Sequence, residues 1–178
     1  MDIKRDHIQS IQIDHASDVG VCRRKASSFA KKLGFTDVKV GEIAIIVSEL
    51  VSNVIKHGES KGHFVMCRIQ DDHNHQGIET WCCDEGDGIQ DPKLVMVDGM
   101  SNKNTLGLGM GSIRRLSDEF EINPDKPDHF KYEVFSSIRT YNTCLRSRKW
   151  LPNTQWAGTN KKIEIGASSR PKPGETFN

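Results

Sequence analysis

The sequence lacks three features that would mark particular classes of protein. It has no apolar run long enough to cross a membrane, and its first residues, MDIKRDHIQS, do not resemble a signal peptide. Its five cysteines include no Cys-x-x-Cys spacing, so we expect neither a zinc site nor a disulfide framework, but reduced thiols in a cytoplasm. Its net charge is only +1, which gives no indication of a protein that coats nucleic acid.

What is present is the composition of an ordinary globular protein. The 178 residues are 35% hydrophobic and 28% charged, enough for one domain with a core and a short appendage. Three of the six prolines lie in the last stretch of the chain, which has one short apolar pattern, KIEI. We therefore predict one domain over residues 1–151. Residues 152–178 are expected to be a linker or the start of a truncated C-terminal domain.

The order of apolar patterns predicts an α+β fold. Helical spacing dominates early, and alternating apolar segments typical of strands follow it. This order favours a two-layer sandwich, in which a mixed, mostly antiparallel sheet carries helices on one face. The predicted elements are a strand at 8–15, helices at 16–34 and about 38–58, strands at 63–72 and 77–86, a helix at 110–120, a strand at 120–123, and one or two strands within 130–151.

A row of polar residues interrupts the apolar second helix. Glu49, Asn53 and His57 are four residues apart, so a carboxylate, an amide and an imidazole share one edge of the helix. A buried asparagine is costly unless its hydrogen-bonding groups are paired. Taken alone, the row is compatible either with a site or with a helix edge in water.

Two glycine-rich motifs follow. Asp84–Ile89, DEGDGI, comes at the end of an apolar strand, where glycines let a flat ligand approach the backbone and the first carboxylate could accept a hydrogen bond from an amino group. Gly107–Gly111, GLGMG, immediately precedes a predicted helix, which is the usual arrangement of a phosphate cradle. Each motif alone is also typical of a turn or a surface loop.

The ordered combination is more specific than its parts. Glu-x3-Asn on a helix, Asp-x-Gly-x-Gly-Ile after a strand and Gly-x-Gly-x-Gly before a helix resemble the motif set of the GHKL ATPase superfamily. The resemblance runs from about residue 8 to residue 151. It is greatest to the small anti-sigma-factor serine kinases and their switch relatives, and it implies the GHKL (Bergerat) fold and binding of ATP with Mg²⁺.

The resemblance also implies a role for each site residue. Asn53 would ligate Mg²⁺, Glu49 would orient and deprotonate a serine hydroxyl, and Asp84 would accept from the adenine amino group, which favours ATP over GTP. A lid over the phosphates is expected at about 97–105. The further nucleotide contacts that the resemblance implies are His57, which could instead merely pack at the helix end, Gly86, Gly88, Ile89, Lys103, Gly107, Leu108, Gly109, Met110, Gly111, and Thr143, which follows Asn142 where the family has glycine.

The implied function is phosphorylation of a STAS-domain anti-sigma-factor antagonist in a bacterial partner-switching pathway. One alternative is a nucleotide-binding switch that captures a partner and regulates an attached or separate phosphatase without phosphotransfer. A weaker one is sequestration of a sigma factor. The resemblance allows a homodimer and implies no nucleic-acid or membrane partner. The tail, IGASSRPKPGETFN, resembles the approach to a SpoIIE-type phosphatase domain, so we expect a longer natural chain.

Overall fold

The computed structural model describes residues 2–57, 61–89, 106–124 and 141–152, and only the backbone of residues 106–108. Within these ranges, a first strand is followed by two helices and two strands, and then by a third helix and two more strands. The elements in chain order are β1 (Lys4–Ile13), α1 (Asp18–Leu33), α2 (Asp37–His57), β2 (Gly62–Gln70), β3 (Gln76–Asp84), α3 (Leu106–Leu116), β4 (Glu119–Ile122) and β5 (Thr143–Trp150).

The five described strands form one sheet in the order β1-β2-β3-β5-β4. Each neighbouring pair is antiparallel, so the sheet that was predicted to be mixed but mostly antiparallel is entirely antiparallel in its described part. The register pairs Asp84 at the end of β3 with Thr143 at the start of β5. The predicted α+β fold is confirmed, and residues far apart in sequence meet at one end of the sheet.

The described helices pack on one face of the sheet. The alternating side chains of β3 show which face it is. On β3, Ile78 and Cys82 join the main core together with side chains of all three helices. Trp81 and Cys83 point to the opposite face, where they belong to a smaller cluster that includes no helical residue. Because successive strand residues face opposite sides of a sheet, the three helices and the main core lie on the same face of this sheet.

A tight connection fixes α1 against α2. Gly34 ends α1 with a φ of 95°, a left-handed conformation that glycine adopts without steric cost. The N–H groups of Gly34 and Phe35 donate to carbonyls of the last turn of α1. Two residues later, the Thr36 hydroxyl accepts a hydrogen bond of 3.4 Å from the Lys39 N–H in the first turn of α2. The two helices therefore reverse direction within a few residues and present a common outer face.

The third helix departs from the prediction at both ends. It begins at Leu106 rather than Met110, so the glycine motif lies inside the helix and not in a loop before it. Met110 and Ile113 are almost completely buried in the core, and this burial offsets the low helix propensity of glycine. The helix ends at Leu116, and the Ser117 hydroxyl donates to the Ile113 carbonyl at 2.7 Å. Glu119, which was predicted to be helical, instead begins β4, and the predicted strand at 120–123 corresponds to the rest of β4.

Some predictions fall outside the described residues. They concern the lid at about 97–105, a strand within the predicted 130–151 region before Tyr141, and the linker after Pro152. The five cysteines do lie in the described part, and all are buried free thiols. No helix among the described residues has the length and apolarity that crossing a membrane requires.

Candidate functional site

The polar row of α2 faces the start of α3. Asn53 is buried, Glu49 is half-buried and His57 is exposed at the helix end. A Cβ atom placed on Gly109 would lie 2.6 Å from Glu49 Oε2 and 3.6 Å from Asn53 Oδ1. Only a residue without a side chain allows this approach, so Gly109 brings the carboxylate and the amide against the first turn of α3.

The two polar groups of the Asn53 amide have different neighbours: the NH2 group contacts Met110, and the oxygen lies beside Gly109. Its Nδ2 donates a weak hydrogen bond of 3.6 Å to Met110 Sδ. Among the described residues, no group of three or more His, Cys, Asp or Glu side chains could hold a metal ion. Asn53 Oδ1 is an oxygen ligand that could hold a cation which takes its other ligands from phosphates and water, as Mg²⁺ does.

Asp84 supplies a desolvated carboxylate at the end of β3. It is only 7% exposed, and its Oδ1 accepts a hydrogen bond of 2.9 Å from the Gly86 N–H. Burial raises the pKa of Asp84, while hydrogen bonds from Gly86 and Thr143 and the charge of His57 act in the opposite direction. A buried carboxylate has few water molecules bound to it, and its remaining lone pairs can accept a hydrogen bond from a ligand amino group.

The electrostatic effects join the two halves of the site. Burial lowers the pKa of His57, the adjacent Lys56 lowers it further, and the Asp84 carboxylate partly offsets both. The end of α2 and the end of β3 are therefore close enough for their charges to interact. The last turn of the α2 row and the first residue of the DEGDGI motif are therefore neighbours in the fold.

Asn142 is a site residue that the sequence analysis noted only as a departure from the family. Its Nδ2 donates to the carbonyls of Glu85 at 3.2 Å and Gly86 at 2.9 Å, and its N–H donates to the Asp84 carbonyl at 3.0 Å. Gly88, in the same turn, has a φ of 79°. The Asn142 side chain thus holds the DEGDGI turn from the neighbouring strand. The sequence signal that could have indicated this role was an amide side chain at the position directly before Thr143.

The structure brings most of the predicted residues together. Gly86 and Thr143 are buried beside Asp84, and Ile89 packs against the edge of the main core. Met110 and Gly111 are buried within α3. For Gly107 and Leu108 only the backbone is described, and it is helical; Lys103 lies outside the described residues.

The burial of Asp84 predicts separate effects of Asp84→Asn on folding stability and on ATP affinity. A carboxyl group whose folded pKa lies above its unfolded value of 3.8 destabilises the folded state as pH rises above that value. Asp84→Asn should therefore leave the nucleotide-free protein equally stable or more stable at neutral pH. It should weaken ATP binding by about 1–3 kcal/mol, because the asparagine oxygen still accepts from the Gly86 N–H while its NH2 group faces the ligand amino group, and two donors cannot pair. Thermal unfolding and calorimetry measure the two effects, and equal ATP affinity for the two proteins would contradict the assignment.

The α+β fold, with three described helices on one face of an antiparallel sheet, is the one that the resemblance to the GHKL ATPases implies. Comparison with known proteins agrees: residues 14–128 match the family described as the histidine kinase-like ATPase domain. The chain is 34% identical over 134 residues to the serine/threonine-protein kinase RsbT of Bacillus subtilis (strain 168), across 75% of this chain and 90% of RsbT. The chain thus belongs to the GHKL family of anti-sigma-factor kinases.

Proposed function

We propose that this protein is an ATP- and Mg²⁺-dependent kinase that phosphorylates a serine of a STAS-domain anti-sigma-factor antagonist. The observation that carries the proposal is the shared approach of Glu49 and Asn53 to Gly109. One side chain can act on a hydroxyl, and the other can ligate the cation that accompanies ATP. The similarity to RsbT, a serine/threonine-protein kinase, supports the same activity class.

Each part of the site has a task in this proposal. Asp84, with Thr143 and the Gly86 N–H beside it, receives the adenine amino group. Asn53 Oδ1 would hold the Mg²⁺, which when bound would neutralise phosphate charge. The first N–H groups of a helix have no partner within the helix, so the start of α3 offers donors to phosphate oxygens.

Glu49 carries the chemical step. It orients the serine hydroxyl and accepts its proton while the serine oxygen bonds to the γ-phosphorus and ADP departs with the bridging oxygen. Because phosphoryl transfer has a loose transition state, placement of the hydroxyl contributes to the rate in addition to acceptance of its proton. A half-buried carboxylate held against Gly109 is suited to this placement.

The direct test is incubation with labelled ATP and a panel of purified STAS-domain proteins. We expect label on a serine of one panel member, with Asp84→Asn as the variant that lacks the nucleotide contact. ATP binding and partner binding without any label would instead favour the nucleotide-binding switch. A switch needs Asn53, Asp84 and the glycines, but it does not need Glu49.

The close approach at Gly109 predicts the effect of adding one methyl group. Gly109→Ala would place a carbon 2.6 Å from Glu49 Oε2, a distance at which the carboxylate or the helix must move. Displacing a catalytic group by about 1 Å can cost roughly a hundredfold in rate, so we expect transfer to fall by about that factor. Circular dichroism and calorimetry should show that the fold and much of the ATP affinity persist. Full transfer activity would show that Glu49 does not act from its present position.

A further inference from the structure

The outer surface of α1 is basic and largely uncompensated. Its sixteen residues include five exposed cations and a single acid, Asp18, in the first turn. Within the described residues, only Lys31 among these cations has a carboxylate within reach, at 3.6 Å from the exposed Asp37. Like charges at helical spacing repel one another, so the fold itself gains nothing from this arrangement. The five cations are Arg23, Arg24, Lys25, Lys31 and Lys32.

Four of these cations line a groove between α1 and α2. The groove encloses about 560 Å³, and its α1 wall consists of Arg23, Arg24, Lys31 and Lys32 with two serines between them. Ala44 provides the α2 wall. Lys25 does not line it. A groove with cations on one wall and a small apolar residue on the other suits an anionic segment that also has aliphatic groups.

An apolar ridge lies next to this groove. Val38 is 73% exposed and Ile45 is 49% exposed, and they are the large hydrophobic side chains most exposed in the described residues. They are seven residues apart on α2 and so share one face. Ile45 is also one turn before Glu49 on the same side of the helix. The ridge therefore runs along α2 on the side that carries Glu49, and Ile45 directly follows the groove residue Ala44.

We propose that the α1–α2 surface, formed by the four groove cations with Val38, Ala44 and Ile45, docks the protein substrate through an acidic segment that carries aliphatic side chains. This inference rests on the proposed function and specifies where the substrate binds and what it presents. Charge complementarity sets the orientation of the partner, and the ridge provides the apolar contact. A partner bound on this surface lies beside Glu49, while ATP is bound at Asp84 and Asn53.

The ridge favours a protein partner over the two other anionic candidates. A nucleic acid would pair its phosphates with the cations but has no use for two exposed aliphatic side chains beside them. A membrane-surface helix needs a broad apolar face that inserts into the bilayer, and the exposed face of α1 is polar. Acidic protein segments with leucine or valine side chains match both parts of the surface.

The test measures binding, ATP affinity and transfer separately. The groove variant is Arg24→Glu with Lys32→Glu, and the ridge variant is Ile45→Ser. The control is Lys4→Glu with Lys25→Glu, which changes net charge equally at exposed sites that do not line the groove. Fluorescence anisotropy with each STAS-domain protein of the panel, in the presence of ADP, reports docking. Calorimetry with ATP reports the nucleotide site.

We expect the groove variant to bind its STAS partner roughly tenfold more weakly, with a smaller loss for the ridge variant and little change in the control. ATP affinity should be the same in all three. Binding of the intact protein should also weaken as salt is raised, because the groove charges are exposed.

Two results would overturn the docking surface. One is equal partner affinity for the groove variant and the control, and the other is failure of every STAS protein to bind. Groove-dependent binding of a DNA duplex or of phosphatidylserine vesicles, without protein binding, would reassign the surface. Transfer with an unchanged KM for the protein substrate in the groove variant would refute the docking site alone. Groove-dependent binding without transfer would refute the kinase activity alone.

Discussion

Glu49→Gln should reduce phosphate transfer by about a hundredfold to ten-thousandfold while leaving ATP affinity almost unchanged. A positioned general base contributes roughly this factor, and glutamine keeps the shape of the side chain but cannot accept the hydroxyl proton. The side chain is half-buried against Gly109, so the isosteric amide should fit without displacing α3. Single-turnover transfer with saturating ATP measures the chemical step directly.

Asn53→Ala should give the opposite pattern. A cation ligand acts when ATP binds, whereas a base matters mainly in the transition state. Calorimetry should therefore show that ATP affinity falls and that its dependence on Mg²⁺ is lost. Full transfer by Glu49→Gln would remove the base role and favour the nucleotide-binding switch. Unchanged Mg²⁺ dependence in Asn53→Ala would remove the ligand role.

The arrangement on α2 was predictable because it depends on local geometry. A spacing of four residues places side chains on one helix edge whatever the rest of the chain does. The structure has Glu49 and Asn53 on such an edge, facing α3. The position of Asp84 at a strand end was predictable for the same reason, since the apolar alternation stops there.

Features that depend on distant packing were not predictable. The low helix propensity of glycine indicated a loop at the GLGMG motif, but burial of Met110 and Ile113 outweighs it. Asn142 reaches the DEGDGI turn only because β3 and β5 pair in one register, across more than fifty residues of chain. No periodicity in the sequence encodes that register.

A buried ionic network on the other face of the sheet also escaped sequence analysis. The Glu79 side chain is completely buried in β3, where its carboxylate accepts hydrogen bonds from Arg5 Nε at 2.7 Å, Arg148 Nε at 2.7 Å and Trp81 Nε1 at 2.8 Å. Burial acts to raise the pKa of Glu79, but the hydrogen bond from Arg5 and the charges of Arg148 and Arg5 outweigh it and lower the pKa to about 2. The network connects β1, β3 and β5.

Glu79→Ala should destabilise the protein by about 3–5 kcal/mol, because removing one partner of a buried ion pair leaves the other partner desolvated. Among the ion pairs of the described residues, Arg148 would keep the one with Glu119 Oε2 at 2.8 Å. Asp6→Ala is the matched control, since it breaks the exposed pair with Arg68 between neighbouring strands and should cost at most about 1 kcal/mol. Urea unfolding of the two variants and the wild type gives the comparison.

The same variant has an expected pH dependence. A carboxyl group with a depressed folded pKa stabilises the fold above its unfolded pKa, and this contribution disappears as pH falls through the folded value. The difference in unfolding free energy between wild type and Glu79→Ala should therefore be full above the unfolded value of 4.5 and shrink as pH falls towards about 2. A difference no larger than that of Asp6→Ala, or one that grows on acidification, would show that Glu79 does not hold these three strands together.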